Sequence, residues 1–545
     1  MLTRIFSCLT VCLLWANSNL EAQAINESLF NNAYNFIDQI SLKREAQWLD
    51  IIKPVTRAEI KQSLNKLLQI KDSLSKEDRE ELMFHANDFQ LAQDENFSHY
   101  KKFTLDQRYR FRAFTLRQGG NTIYADPIFG SSIGAYNGKI IFERNLGVNF
   151  WGNISERFSY SFYFNDINYN GDGLKEIPAW NGDRKFVNIG DKNALDKKNY
   201  NDLRVSLTYS FKNGFISAGQ DRLSFGYGQQ SNIILSQNAP TYPFIRLKYL
   251  PFKKVQFNYL HAFLQSNIID KNAEYPFNTP TYGGVSNVYI PKFYAMHSLS
   301  YTPREGIDLS IGESIVYANK LNIGYLFPLN YFKSFDNTSS NQNLLAGANG
   351  QFFAAASVRR FIPKTQLYGQ LFIDEIRISK LLTNENRNQV GYQVGAKTND
   401  LFKVKRLIGG LEYTRNRPFV YSNLNPVQFY THHNEMLGDW LGNNSDRMLG
   451  YFQYYPNQRI MASLSLAYMR KGGPGTIEQQ YLASPQPDFF FDPQFKQKSI
   501  TFEAKYQVLN QLFVLLKAQA SSRVTVSDNQ TKKFNTFSAG FYYGL

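Results

Sequence analysis

The last nine residues of the chain alternate between two kinds of side chain, and this pattern restricts the possible folds more than any other feature. They read Phe-Ser-Ala-Gly-Phe-Tyr-Tyr-Gly-Leu over 537–545. Because successive strand side chains point to opposite faces, one face is apolar and the other small and polar. A membrane barrel accommodates such a strand, since its last strand pairs with its first and leaves no open edge. The pattern predicts a barrel-closing strand, carried by Phe537, Phe541, Tyr543 and Leu545.

On this strand, Phe541 and Tyr543 are expected to face lipid, and Tyr542 the barrel interior. The alternative is the last strand of a soluble β-sandwich.

The same period of two recurs at 203–211, 500–508 and 514–521. Charged side chains on the inner face of several strands argue against a sandwich core, where each would need a buried partner. A water-filled lumen accepts them without that cost.

Short turns alternate with long loops rich in Asn, Gly, Pro and Tyr, as at 267–290, 330–350 and 471–498. A spanning strand takes roughly 9–11 residues, so the stretch 101–545 would hold about 16 to 20 strands, with 18 as the best estimate. The predicted fold class is therefore an all-β membrane protein. It is an antiparallel outer-membrane β-barrel with a small N-terminal helical region.

Composition agrees with a barrel and limits the partners. The chain has 45 Phe and 35 Tyr, a surplus that aromatic girdles at the two membrane interfaces would use. Its mean hydropathy of -0.40 excludes a bundle of membrane-spanning helices. The net charge of +15 favours polyanions. For an exported protein these are acidic polysaccharide, lipopolysaccharide phosphate or lipid headgroups rather than nucleic acid; an ordinary solvated cationic surface is the alternative.

The N-terminus predicts export. Arg4, an apolar core from Ile5 to Ala16 and an Ala-Gln-Ala site together indicate a signal peptide over 1–24. Both cysteines, Cys8 and Cys12, lie inside it, so disulfides and thiolate metal sites are not expected in the mature chain. We expect the outer membrane of a Gram-negative cell as the location, with insertion by the barrel-assembly machinery into outer-membrane lipid.

Residues 25–98 have a helical rather than a strand pattern. Thr56 and Glu59 have the spacing of a capping box. One apolar stripe follows at Ile60, Leu64, Leu67 and Leu68, and a second helix is expected to carry Leu82, Met83 and Phe89. The predicted organisation is a signal peptide at 1–24, a helical periplasmic region at 25–98 and a transmembrane barrel at 101–545.

The most distinctive segment is 219–247. It contains a glycine-rich bend from Gly226 to Gly228, an apolar run, and Leu-Ser-Gln-Asn-Ala-Pro over 235–240, an Asx-type turn before a returning strand. Further motifs follow in order: Trp-Gly-Asn-Ile at 151, Gly-Glu-Ser at 312, Glu-Tyr-Thr-Arg at 412 and Leu-Gly-Asn-Asn-Ser at 441. Together these resemble the Wzi family of outer-membrane capsule assembly proteins, in the Bacteroidetes-type branch that includes gliding-motility-associated relatives.

This resemblance covers roughly 100–545 and implies a monomeric barrel that binds secreted or capsular polysaccharide (exopolysaccharide) and helps assemble or retain capsule. It implies no catalysis and no cofactor. Two other functions remain open: a porin or channel for small solutes, and a cell-surface adhesion or gliding-motility component.

No catalytic or metal constellation is predicted. Asp374 and Glu375 are adjacent, so on a strand they face opposite sides and cannot act as a pair. The histidines are scattered or, at His432 and His433, adjacent without further ligands. The candidate polysaccharide-binding residues are Asp221, Arg222, Arg415, Arg417, Asp374 and Trp440. The alternatives are a lumen ladder of ion pairs for the charged residues and interface anchoring for the tryptophan.

Overall fold

The computed structural model describes residues 24–44, 48, 50–89, 101–105, 111–118, 120–177, 185–191, 193–278, 283–339, 347–375, 388–527 and 529–544. Eighteen antiparallel strands form a closed barrel of the outer-membrane type, as the sequence predicts. Leu545 and the predicted signal peptide, apart from Ala24, lie outside the described residues. No helix in the described part of the chain is both long and apolar enough to cross a membrane.

The barrel strands alternate between short turns at one end and mostly long loops at the other, called here the short-turn end and the long-loop end. Their bounds are β1 Asn121–Tyr136, β2 Lys139–Asn153, β3 Phe158–Asn170, β4 Lys197–Phe211, β5 Gly214–Asp221, β6 Tyr242–Phe252, β7 Val255–Ile269, β8 Tyr289–Arg304, β9 Ile307–Ala318, β10 Asn349–Arg359, β11 Thr365–Glu375, β12 Gln389–Thr398, β13 Leu407–Asn416, β14 Ser445–Asn457, β15 Ile460–Gly472, β16 Pro493–Leu509, β17 Leu512–Thr525 and β18 Thr531–Tyr543.

Shorter elements accompany the barrel. An extra hairpin, Lys101–Leu105 with Phe111–Gln118, pairs along the first residues of β1. Two-stranded ribbons form at Tyr275–Asn278 with Gly283–Ser286 and at Thr431–His432 with Glu435–Met436. The helices are α1 Ala33–Lys43, α2 Arg57–Gln69, α3 Lys76–Phe89, α4 Phe332–Ser339 and α5 Ile477–Tyr481, with single 3-10 turns at Lys71–Ser73, Asp172–Glu176, Ile323–Leu326, Leu401–Lys403 and Pro426–Gln428.

The closing strand pairs with β1 in a continuous register, with Phe537 opposite Ala135 and Phe541 opposite Ser131. Phe537 and Phe541 are exposed on the outer face, and the Tyr542 hydroxyl donates inward to Glu143 at 2.9 Å. The prediction that Tyr543 contacts lipid is wrong: its ring is buried, stacked on Phe129 at 5.2 Å and beside Phe111 of the extra hairpin. The hairpin covers this side chain although its place in the alternation is the outward one.

Neighbouring outward positions on β13–β18 align into rows across the sheet. The central rows are apolar, for example Leu464 opposite Phe502 and Leu466 opposite Ile500. Tyrosines flank them, with Tyr413 and Tyr468 toward the long-loop end and Tyr454 and Tyr506 toward the short-turn end. Eight residue rises at roughly 3.4 Å with a tilt of about 40° give roughly 20 Å between the flanks. We call this the apolar band.

Residues 24–89 form a helical unit at the short-turn end. Its second helix begins with the predicted capping box: Glu59 N–H donates to the Thr56 hydroxyl at 3.3 Å, and Thr56 N–H donates to Glu59 at 2.8 Å. The predicted stripes of α2 and α3 are buried against α1, with one exception. Met83 is 44% exposed, because neighbouring helical residues point about 100° apart and Leu82 takes the inward position.

Buried and half-buried ion pairs fasten the helical unit to the barrel wall. Arg359 of β10 contacts Asp50 at 2.8 Å and Asp308 of β9 at 2.9 Å. Lys397 of β12 contacts Asp38 at 2.5 Å, and Lys248 of β6 contacts Glu59. The unit therefore closes part of the short-turn end.

Three segments fill one side of the lumen: 51–53, 222–241 and 417–444, together called the lumen plug. Residues 52–53 pair with 224–225, so a strand from the N-terminal region meets one from the β5–β6 connection inside the barrel. The plug side chains pack on the inner faces of β6–β11, forming the largest apolar cluster, which includes Ile51, Phe225, Ile233, Leu235, Tyr294, Phe353, Phe372, Tyr421, Tyr430 and Leu437. The glycine-rich bend approaches the barrel wall closely at Gly226, where φ is +138° and a Cβ would clash with Gln370.

We expect the helical unit to loosen as the pH falls from about 6.5 to 4. Burial against Phe36 lowers the pKa of His85 to about 4, with Asp88 opposing the shift. Below about pH 6.5 the unfolded unit therefore takes up a proton that the folded unit resists, a loss of about 3 kcal/mol by pH 4. Burial acts to raise the pKa of Glu59, but Lys248 lowers it to about 2, so this group contributes stability that is lost only below about pH 4.5.

Limited proteolysis of the detergent-solubilised protein between pH 7 and 4 measures this effect. The His85→Phe variant serves as the control, because it keeps an apolar ring in the same place and removes the titrating group. An equal pH slope in the variant and the wild type would refute the assignment to His85.

Candidate functional site

A cavity of about 780 Å³ occupies the other side of the lumen, beside the inner faces of β1–β5. Three parts of the chain build it. The helical unit contributes residues such as Asn26 and Arg57, and the strands contribute residues such as Asp202 and Arg204. The long-loop segments contribute Lys185, Phe186, Arg222, Gln230, Gln237, Asn238 and Trp440. Its volume lies within the usual range for small-molecule and cofactor pockets.

Asp202 joins two arginines at the cavity wall. Its Oδ1 accepts a hydrogen bond from Arg222 Nη2 at 2.8 Å, and its Oδ2 accepts one from Arg204 Nη2 at 3.0 Å. The Arg204 guanidinium also lies over the Tyr163 ring, 3.9 Å from its centroid. Both cations are therefore held in fixed positions at the edge of the cavity.

Asp221 anchors the bend that carries Arg222. Its Oδ1 accepts from the Arg222 N–H at 2.8 Å, and its Oδ2 accepts from Asn26 Nδ2 at 3.1 Å. The Arg222 guanidinium lies 5.0 Å from the centroid of Phe186. Burial lowers the pKa of Arg222, with Asp202 opposing the shift, so a ligand carboxylate would find a cation already stripped of much of its water.

Aromatic rings complete the lining. Trp151 donates from Nε1 to Asp126 at 3.0 Å and stacks on Tyr124 at 4.3 Å, so its orientation is fixed. Trp440 is half-buried at the long-loop end, 5.9 Å from the Arg447 guanidinium. Arg447 is in turn paired with Asp439 at 3.0 Å. Apolar ring faces beside amides and paired charges suit a sugar, whose ring has an apolar face and a polar rim.

The structure thus brings Asp221, Arg222 and Trp440 together around one cavity. Asp374 lies elsewhere: it accepts the Tyr421 N–H at 2.7 Å and so fastens the lumen plug. Arg415 and Arg417 also lie away from the cavity. Arg415 is on the outer face near the long-loop end, with its guanidinium 3.6 Å from the Phe489 centroid, and Arg417 follows directly after β13.

Sequence reasoning missed several cavity residues. Asp202 and Arg204 share the inward face of β4 with Ser206, so the alternation already placed them in the lumen. Their pairing with Arg222 could not be read from spacing, because it depends on how the 222–241 segment turns back. Asn26 and Arg57 had no signal, since nothing in the sequence places the helical unit against the lumen.

No three His, Cys, Asp or Glu side chains among the described residues form a group that would hold a metal ion. No protein-family model matches the chain, and a search of curated proteins finds no match.

The fold is similar to that of Wzi, an outer-membrane protein involved in group 1 capsule assembly in Escherichia coli and a carbohydrate-binding β-barrel. The TM-score is 0.58 at 12% identity, over 96% of this chain and 99% of that one. Two Pseudomonas aeruginosa structures are less similar. OprD has a TM-score of 0.42 at 9% identity over 82% of this chain and 97% of that one, and OpdK with vanillate has 0.42 at 9% over 77% and 98%. The Wzi-like fold is supported at the level of architecture; the other two scores are too low to bear on function.

Proposed function

We propose that this protein binds an acidic polysaccharide at the cell surface and helps to assemble or retain it as a capsule. The observation that carries the proposal is the cavity that Trp440 lines together with Arg204 and Arg222, both of which Asp202 holds in place. The proposed orientation follows the rule for such barrels, with short turns in the periplasm and long loops outside. The chain would reach the outer membrane after loss of a signal peptide at 1–24 and insertion by the barrel-assembly machinery, and act as a monomer.

The chemistry of the cavity favours a uronic or otherwise acidic sugar. Two fixed guanidinium groups recognise a carboxylate through charge-assisted hydrogen bonds. Amide side chains from Gln230, Gln237 and Asn238 offer both donors and acceptors to hydroxyl groups. Trp440 offers an apolar face for the sugar ring. The carboxylates of Asp221 and Asp202 lie beside these cations, so the site should not bind every anion without distinction.

A porin function for small solutes is the second candidate, and the cavity itself favours it, because its lining extends from Gln511 at the short-turn end to Trp440 at the long-loop end. The lumen plug, which fills the other side of the barrel, and the helical unit, which closes part of the short-turn end, oppose it. Planar-bilayer conductance discriminates the two: capsule binding predicts small or no conductance steps. A role in surface adhesion or gliding motility would instead show as lost movement with glycan binding intact.

Binding to an acidic and a neutral oligosaccharide of equal length tests the proposal. We expect Trp440→Ala to weaken both interactions about tenfold, and Arg222→Gln to weaken only the acidic one by about tenfold, which corresponds to roughly 1.4 kcal/mol. Asp202 retains Arg204 in the second variant, so folding should persist.

Matched controls lie on the outer wall. Arg144→Gln removes an exposed arginine, and Tyr331→Ala removes an exposed aromatic ring, without touching the cavity. Equal affinities for the cavity variants and these controls, or no binding of any acidic oligosaccharide by the wild type, would rule out this function.

A further inference from the structure

A second set of cations lies on the outer face of the barrel and is not part of the cavity in the lumen. On β13–β16 the outward positions nearest the long-loop end align as Arg415, Asp446, Arg470 and Lys496 across four neighbouring strands. The next row toward the membrane contains Lys498, and the same row reaches Lys533 on β18. We call Arg415, Arg470, Lys496, Lys498 and Lys533 the basic patch.

The patch begins where the apolar band ends. Tyr413, Met448, Tyr468 and Lys498 share one row, so Lys498 lies directly beside Tyr468, one of the tyrosines that flank the band. The following row into the band is apolar at Leu411, Leu466 and Ile500, all between 43% and 61% exposed. Tyrosines of this kind sit at the headgroup level of a membrane. The patch cations therefore face headgroups of the outer leaflet rather than open solvent.

The charge of the patch is not balanced by the protein that surrounds it. Asp446 pairs with Arg470, from whose Nε it accepts a hydrogen bond at 2.9 Å. Lys496, Lys498 and Lys533 are exposed and have no ion pair with any described residue. Five cations against one carboxylate leave four positive charges on the patch. By contrast, the outward-facing Arg144 of β2 lies 3.8 Å from a carboxylate, that of Asp166.

We propose that the basic patch binds a glycolipid whose headgroup carries more than one phosphate. Neighbouring strands are about 4.8 Å apart, so Lys498 and Lys533, two strands apart, are separated by roughly 10 Å at the backbone. That span suits two phosphates on one headgroup better than a single one. The acyl chains of the lipid would then lie on the apolar band directly below, so that one molecule satisfies both surfaces.

Phosphate suits this site better than a carboxylated sugar does. Lysine and arginine bind phosphate oxygens strongly, and a phosphate monoester carries up to two charges. If the lysines of the patch faced bulk solvent, small counterions alone would balance their charge. Here the wall position brings lipid headgroups into contact with the side chains whether or not other ligands are present.

Native mass spectrometry of the full protein in neutral detergent tests this proposal. The probes are diphosphorylated lipid A, the same lipid with both phosphates removed, and inorganic phosphate. The patch variant is Lys498→Gln with Lys533→Gln. The control is Arg144→Gln with Lys197→Gln, which removes two outward cations from β2 and β4 near the same end of the barrel.

We expect the wild type and the control to retain diphosphorylated lipid A, and the patch variant to retain it at least tenfold less. The dephosphorylated lipid should bind all three proteins equally weakly, and inorganic phosphate should not displace the lipid. Equal retention by patch and control variants, or equal binding of the dephosphorylated lipid, would overturn the proposal. Displacement by millimolar inorganic phosphate would mean that the patch binds free phosphate and not a lipid. Oligosaccharide affinity, measured in parallel, should be unchanged in the patch variant, so this test is independent of the proposed glycan site.

Discussion

Replacing Arg359 by leucine is expected to release the helical unit from the barrel while the barrel itself stays folded. Arg359 is buried and lies between Asp50 of the helical unit and Asp308 of β9, at 2.8 and 2.9 Å. Without it, two nearly buried carboxylates face each other without their shared cation, at a cost of about 3–5 kcal/mol. Because Ile51 follows Asp50 and packs in the lumen plug, the plug should loosen as well.

Two measurements detect the release of the helical unit. Trypsin should cut within residues 24–89 at least tenfold faster, and bilayer conductance should rise as the plug opens. The Arg304→Leu variant is the matched control, since it removes an exposed arginine at the same end of the barrel. Arg359→Lys should restore part of the protection. If Arg359→Leu is cut no faster than Arg304→Leu, the ion pairs do not hold the unit in place.

Replacing Phe537 by lysine is expected to hinder barrel insertion far more than the same change at Phe541. Both side chains are on the outer face, 53% and 46% exposed. Phe537 pairs with Ala518, in the row of Leu464 and Phe502 at the centre of the apolar band. A lysine there costs roughly 2–4 kcal/mol, as for any cation near the membrane midplane.

Phe541 lies lower, opposite Val514 in the row that contains Tyr506. A lysine at this level can extend to the interface, and its expected cost is only about 0–1 kcal/mol. Reversible folding into lipid vesicles, followed by tryptophan fluorescence against denaturant, gives both values. If lysine had the same free-energy cost at both positions, Phe537 would not lie nearer the membrane midplane than Phe541, and the position of the apolar band would be wrong.

The strands were predictable because two different environments act on alternate residues. Lipid selects Leu207 and Phe537 on one face, and the lumen accepts Arg204 and Ser206 on the other. The capping box of α2 was equally readable, because Thr56 and Glu59 interact within one helical turn. These signals are local, so a single sequence contains them in full.

The plug and most of the cavity could not be derived in the same way. Ile52 pairs with Phe225, and Asn26 contacts Asp221 across 195 residues of chain. Such contacts depend on which way a loop folds, and a loop leaving a strand end can turn into the lumen or away from it. The exposed place predicted for Tyr543 was wrong for a related reason, since the covering Phe111 belongs to a hairpin that adds to the barrel rather than closing it.

The residues of the cavity were therefore recognised only in part. Asp221 and Arg222 lie in the segment 219–247 that the sequence singled out, and Trp440 reaches the same cavity from a loop some 200 residues later. Arg415 was chosen because of its charge, but the alternation along β13 gives it the outward face and Glu412 the inward one. Because Arg415 and Glu412 are three positions apart on one strand, the alternation of side chains would have placed them on opposite faces of the barrel wall.

The most direct test of the account is a structure of the full protein with an acidic oligosaccharide bound. We expect density for the sugar in the cavity, with a carboxylate within about 3 Å of the Arg222 or Arg204 guanidinium and a ring against Trp440. Density for the oligosaccharide only on the outer surface of the loops, with this cavity unchanged, would contradict it.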